Sequence, residues 1–150
     1  MILTFVFVLI DLFSKYIVSK YILVNEGIVI IDNFFNITHV NNTGVAFSLF
    51  DNNKYLILAV SLIVIIAIIY YLYKNRPKSK IEKVSYSLIL GGAIGNFINR
   101  CLCGYVTDFI DIKIFGYDYP IFNLADSFIV IGVILLVVYT WRYGDENKSY

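Results

Sequence analysis

The sequence has one histidine, two cysteines, two prolines and one tryptophan, and only 15% of its 150 residues are charged. Each scarcity removes a class. A lone histidine, His39, leaves no multi-histidine zinc site and no H-E-x-x-H helix. Two cysteines, spaced Cys101-x-Cys103, are too few for a disulfide framework and too close for the usual zinc pair; packed or idle thiols are expected. Twelve basic against eleven acidic side chains give a net charge of +1, so no global field draws nucleic acid. No phosphate-cradling G-x-x-x-x-G-K-[ST] loop occurs. A Ser–His dyad would need His39, in a strand-like stretch, to reach a serine on a helix.

What is abundant is apolar surface. Hydrophobic types make up 59% of the chain and aromatics 17%, against about 45–50% apolar in an average soluble domain. So much greasy surface on so short a chain points to an integral membrane protein in one domain. Residues 55–73 carry no charge, and residues 122–141 carry only Asp126 and stay apolar to Trp141. A third uncharged run, 84–99, becomes a span if it continues through Arg100 toward Cys103, and residues 1–23 are apolar around Asp11, Lys15 and Lys20. The expectation is four transmembrane helices, near 1–23, 55–73, 84–103 and 122–141. The first lacks a basic leader and an A-x-A site, so it reads as a retained anchor rather than a cleaved signal.

Loop charge sets the orientation. Lys74, Arg76, Lys78, Lys80 and Lys83 face a single acid, Glu82, between spans two and three. The connection 24–53 holds Glu26, Asp32 and Asp51 apart from any cation, and 104–120 holds Asp108, Asp111 and Asp118 against Lys113. The positive-inside rule puts both termini and the basic loop in the cytoplasm and both acidic connections outside. Within 24–53, the β-branched and aromatic run 28–40, turn chemistry at Asn41-Asn42-Thr43-Gly44 and a second strand-like run, 45–50, predict a small extracytoplasmic sheet lying on the membrane.

An ionisable side chain in a bilayer costs at least a few kcal/mol unless it snorkels or finds a partner. Asp11 and Lys15, one turn apart, either neutralise each other or support a nearby site. Asn96, Asn99 and Arg100 share one face of span three, one turn past Gly91, Gly92 and Gly95. Close packing accounts for the glycines, but not for a guanidinium. Asp126, with Asn123 a turn before it, is either a first-turn acid complementing the helix dipole or part of a site; Asp108 is either a loop acid or its companion. Favouring a site, both carboxylates, the amides and Arg100 can reach one depth at the outer face. A small ion or proton transporter is the alternative. It requires titratable groups at successive depths, and spans two and three have none in their inner halves.

Five motifs in order resemble lipoprotein signal peptidase (signal peptidase II), over nearly the whole chain. Asp11-Leu-Phe-Ser-Lys15 matches D-x-x-[ST]-K, and Asn42-Thr-Gly-Val-Ala-Phe-Ser48 matches N-x-G-x-A-[FW]. Gly92-Ala-Ile-Gly-Asn96-Phe-Ile-Asn-Arg100 matches G-[AG]-x-G-N-x-x-D-R, with Asn99 where the family usually has Asp. Gly104-Tyr-Val-Thr-Asp108-Phe-Ile and Pro120-Ile-Phe-Asn123-Leu-Ala-Asp126-Ser127 match the last two. The resemblance implies a helical membrane fold, a four-helix bundle with a small extracytoplasmic β-cradle. It further implies an aspartic-type intramembrane endopeptidase of the bacterial cell membrane, without metal or organic cofactor, acting as a monomer. Its substrates would be diacylglyceryl-modified prolipoproteins reached through the membrane lipids. By the same resemblance Asp108 and Asp126 are the catalytic pair, Asn42, Asn96, Arg100 and Asn123 contact substrate, and Asp11, Lys15 and Asn99 support them.

Overall fold

The computed structural model describes residues 2–44 and 54–143. Its elements run α1 (Ile2–Tyr21), β1 (Gly27–Ile31), β2 (Phe35–Asn42), α2 (Lys54–Lys74), α3 (Lys80–Cys103), β3 (Val106–Ile114), β4 (Tyr117–Asp118) and α4 (Leu124–Tyr143). Three of the four helices, α1, α2 and α4, are long and apolar enough to cross a membrane. The fourth, α3, has 24 residues, about 36 Å at about 1.5 Å per residue, but is less apolar because of where it sits.

α3 packs against all three other helices. It buries Ser85, Ser87, Leu88, Leu90, three glycines, Asn99 and Arg100. α2 buries only Ile57 and Ile65, and α4 only Ala125 and Gly132. The outer helices turn Ile63, Ile66, Val130, Ile134 and Val137 outward, the pattern of a surface meant for lipid. Gly92 lets the α4 backbone approach: a Cβ there would strike the Ala125 carbonyl oxygen.

α3 starts earlier than the expected 84. Ser79 caps it, accepting from Glu82 N while the Glu82 carboxylate accepts from Ser79 N, a reciprocal capping box. It ends at Gly104, left-handed at φ 87°, whose N–H donates to Arg100 O at 3.0 Å.

The sheet differs from the expected one. It is a four-stranded antiparallel sheet in the order β1-β2-β3-β4, built from the connection after α1 and the connection between α3 and α4 together. The turn expected at residues 41–44 lies earlier, at 32–34, where Asn33 takes φ 58°. Asn41 and Asn42 stay in strand because Thr107 and Val106 pair with them. The second strand-like run, 45–50, lies outside the described residues. Val18, Ile22 and Phe109 form an apolar cluster, with Ile37, Ile110 and Leu124 packed on it, that fastens the sheet to the end of α1 and the start of α4. His39 is buried beside it and satisfied, Nδ1 against Ile22 O at 2.8 Å and Nε2 against Asn41 Oδ1 at 3.2 Å.

Candidate active site

The sheet and the helices meet where the polar residues gather. Asp108 enters on β3, paired with Val40 of β2. The segment leading into α4 lies along β3: Phe122 O accepts from Phe109 N and Ile110 N at 2.9 and 2.7 Å, and Phe122 N donates to Ile110 O. That short bridge brings Asn123, the residue before α4, against Asp108.

Asn123 is fully buried and holds both carboxylates. Its side-chain Nδ2 donates to Asp108 Oδ1 at 2.6 Å. Its Oδ1 accepts from Asp126 N at 3.0 Å, and its backbone N donates to Asp126 Oδ2 at 3.2 Å. With Asp126 the third residue of the helix, this is a capping box using Asp. The resemblance places Asn123 in contact with substrate; the structure places it behind the carboxylates, outside the lining of the cleft they face.

The remaining oxygens are held too. Asn42 Nδ2 donates to Asp108 Oδ2 at 2.8 Å, with Asn42 itself fixed by Gly44 N on its Oδ1. Asn96 Nδ2 donates to Asp126 Oδ1 at 2.8 Å. Burial pushes the Asp108 carboxyl up to about 6, against the pull of the Asn42 and Asn123 amides, with the Asp126 charge adding to the rise.

Beneath this layer lies a buried ion pair. Lys15 Nζ donates to Asp11 Oδ2 at 2.8 Å and to Asn96 Oδ1 at 2.7 Å, while Asp11 Oδ1 accepts from Ala125 N at 3.0 Å. Lys15 therefore dictates which end of the Asn96 amide faces Asp126, and Asp11 fixes the backbone one residue before it. The two readings of this pair merge: it neutralises itself and it supports the site. Gly95 makes room for it, since a Cβ there would run into the Asp11 carboxylate.

Arg100 is 8% exposed; its Nη2 donates to Gly44 O at 3.0 Å, and its Nε is a buried donor with no partner among the described residues. Asn99 is not paired with Arg100. Its Oδ1 accepts from Thr107 N at 2.8 Å and its Nδ2 reaches Cys103 Sγ at 3.5 Å. Position 99 thus anchors the start of β3, one residue before Asp108, and a neutral amide serves that role. Cys101 and Cys103 are free thiols at the exposed end of α3.

Asn42, Asn96, Arg100, Asp108 and Asp126 line one cleft of about 960 Å³. Its opposite wall is greasy, with Ile57, Val60 and Val64 from α2 and Ile129 from α4. Two carboxylates held by one asparagine, through its side chain and its backbone N–H, with an arginine and an apolar wall beside them, can activate water next to an amphiphilic chain. Among the described residues no three His, Cys, Asp or Glu side chains converge as a metal site would need. Gly44, Thr107 and Ala125 take part through backbone atoms, so none of their side chains pointed to these contacts.

A model of the family described as signal peptidase (SPase) II matches residues 3–142. A protein named lipoprotein signal peptidase from Staphylococcus aureus (strain JH9) is 41% identical over 149 residues, covering 99% of this chain and 91% of that protein. Another of that name, from Anoxybacillus flavithermus, is 36% identical over 147 residues, covering 98% and 88%. Two solved chains described as bacterial membrane enzymes, obtained by the in meso method, superpose with TM-scores of 0.89 and 0.82 at 36% and 38% identity. The first comparison covers 99% of this chain and 91% of the other; the second covers 91% and 88%.

Proposed function

The chain belongs to the signal peptidase II family, and from that premise we propose that it removes the signal peptide from diacylglyceryl-modified bacterial prolipoproteins, with Asp108 and Asp126 as an aspartic catalytic pair. The observation that carries this reading is the bridging, by the buried Asn123 behind them, of two carboxylates that line one largely apolar cleft.

Peptide hydrolysis by two carboxylates needs one to take a proton from water and the other to give one to the leaving amine. Close carboxylates do not both ionise readily, so the pair holds one proton between them. The upward displacement of Asp108 to about 6 supports that sharing. Asp126 sits in the first turn of α4, with Asn96 Nδ2 and Asn123 N donating to its carboxylate. In this reading Asp126 draws the proton from water and Asp108 protonates the departing nitrogen. Arg100, through an Nε that has no partner among the described residues, orients the scissile segment or polarises its carbonyl, as a preorganised donor does. The apolar wall of α2 and α4 admits the acyl chains from the bilayer side. Each methylene kept out of water contributes about 0.8 kcal/mol, which favours lateral entry over extraction into solvent.

All four helices span the membrane in this account, α3 shielded at the centre of the bundle, with the sheet and the carboxylates at the outer face and both termini in the cytoplasm. The test is cleavage of one precursor offered with and without its diacylglyceryl group to the purified protein. Cleavage confined to the lipidated form supports the proposal. Equal cleavage of both, or of neither beside a measurable ion flux into liposomes, overturns it.

A further inference from the structure

A second cavity, of about 210 Å³, lies at the end of the bundle away from the sheet, between the first turn of α1, the last turn of α2 and the first half of α3. Its walls are Leu72, Pro77 and Leu90, and its polar lining is Thr4, Lys83, Tyr86 and Ser87. Thr4 and Ser87 are each only 8% exposed, yet neither hydroxyl has a hydrogen-bond partner among the described residues. Hydroxyls left facing a mostly apolar cavity are unspent donors.

The surrounding segment is mainly basic. Lys74, Arg76, Lys78 and Lys80 neighbour Lys83, and among the described residues none of these five cations forms an ion pair. The single acid of the segment, Glu82, is occupied by the backbone N–H groups of Lys78 and Ser79. The Tyr86 and Tyr71 ring centroids are 5.8 Å apart, an amphipathic pair of the kind favoured at membrane interfaces.

We propose that this cavity holds the phosphate headgroup of an anionic phospholipid from the adjoining leaflet. Lys83 supplies the charge, the Thr4 and Ser87 hydroxyls supply donors to the phosphate oxygens, and Leu72 and Leu90 meet the start of the acyl chains. The site is remote from the cleft and independent of the catalytic reading. Charge complementarity selects this occupant: a zwitterionic headgroup brings its own ammonium up to Lys83 and the basic segment that precedes it in sequence.

The experiment is native mass spectrometry of the full-length protein in mild detergent, titrated with phosphatidylglycerol, phosphatidylcholine or glycerol 3-phosphate. One phosphatidylglycerol per chain is expected to survive, with phosphatidylcholine retained less and glycerol 3-phosphate unable to displace it. Lys83→Gln should weaken retention about fivefold, the worth of one near-surface cation. Ser87→Met, which fills the cavity without touching a charge, should weaken it as well. Both variants should still cleave precursor, which verifies their fold. Equal retention of the two lipids overturns the proposal, as does displacement by glycerol 3-phosphate or wild-type retention in both variants.

Discussion

Replacing Asn123 separates what it does for the fold from what it does for the carboxylates. Asn123→Ala removes two side-chain bonds, the cap on Asp126 N and the donor to Asp108 Oδ1. Losing a cap costs about 0.5–2 kcal/mol of stability. Losing a hydrogen bond to a charged group costs about 1.5–3 kcal/mol. Asn123→Ser retains a good capping oxygen but is too short to reach Asp108. The serine variant is therefore expected to recover most of the stability lost in the alanine variant. It should remain slower than wild type by about ten- to about 150-fold in kcat if the lost bond is felt in the transition state. Steady-state cleavage of a lipidated precursor gives kcat and KM, and thermal unfolding in the same detergent gives stability. A serine variant with wild-type kcat would refute the argument that Asn123 sets the carboxylate geometry. An alanine variant as stable as wild type would refute its capping role.

Lys15→Met leaves the Asp11 carboxylate buried without its cation and should cost about 3–5 kcal/mol, while the double variant with Asp11→Asn should recover part of that; thermal unfolding of the three proteins checks it. Asn42→Ala removes a donor that pulls the Asp108 carboxyl down. Since activity needs the shared proton, kcat/KM should fall as pH rises through about 6, and this variant should move the midpoint upward; an unmoved or lowered midpoint contradicts the assignment. Asn99→Asp keeps an acceptor for Thr107 N and should preserve activity, whereas Asn99→Ala frees the start of β3 and should lower kcat by about tenfold; precursor cleavage distinguishes them.

The helical part of this architecture was legible because the bilayer demands uncharged runs, and 55–73 and 122–141 declare themselves. α3 was legible to within a turn or so; its true start was written in Ser79-Lys80-Ile81-Glu82, a capping-box spacing. The sheet was legible only in part. Half of it comes from a connection valued for its acids alone, although Ile110-Asp111-Ile112-Lys113-Ile114 alternates with period two before a Phe115-Gly116 turn. Pairing of β3 with β2 joins segments far apart in the chain, which no local pattern states. Asp11, Lys15, Asn42, Asn96, Asp108, Asn123 and Asp126 all meet in one bonded network, with Arg100 beside them in the cleft. The order within that network was not legible. Whether Asn123 faces a substrate or stands behind the carboxylates depends on the Phe122–Ile110 bridge, a tertiary contact made by backbone.

The central claim is that two carboxylates share one proton around one water at the rim of the cleft. The direct measurement is single-turnover cleavage of a diacylglyceryl-modified precursor by Asp108→Asn and Asp126→Asn, each verified as folded and membrane-inserted. Neither amide can take or give the required proton, so each variant should lose cleavage entirely while still binding the lipidated precursor. Substantial turnover by either one would contradict the account.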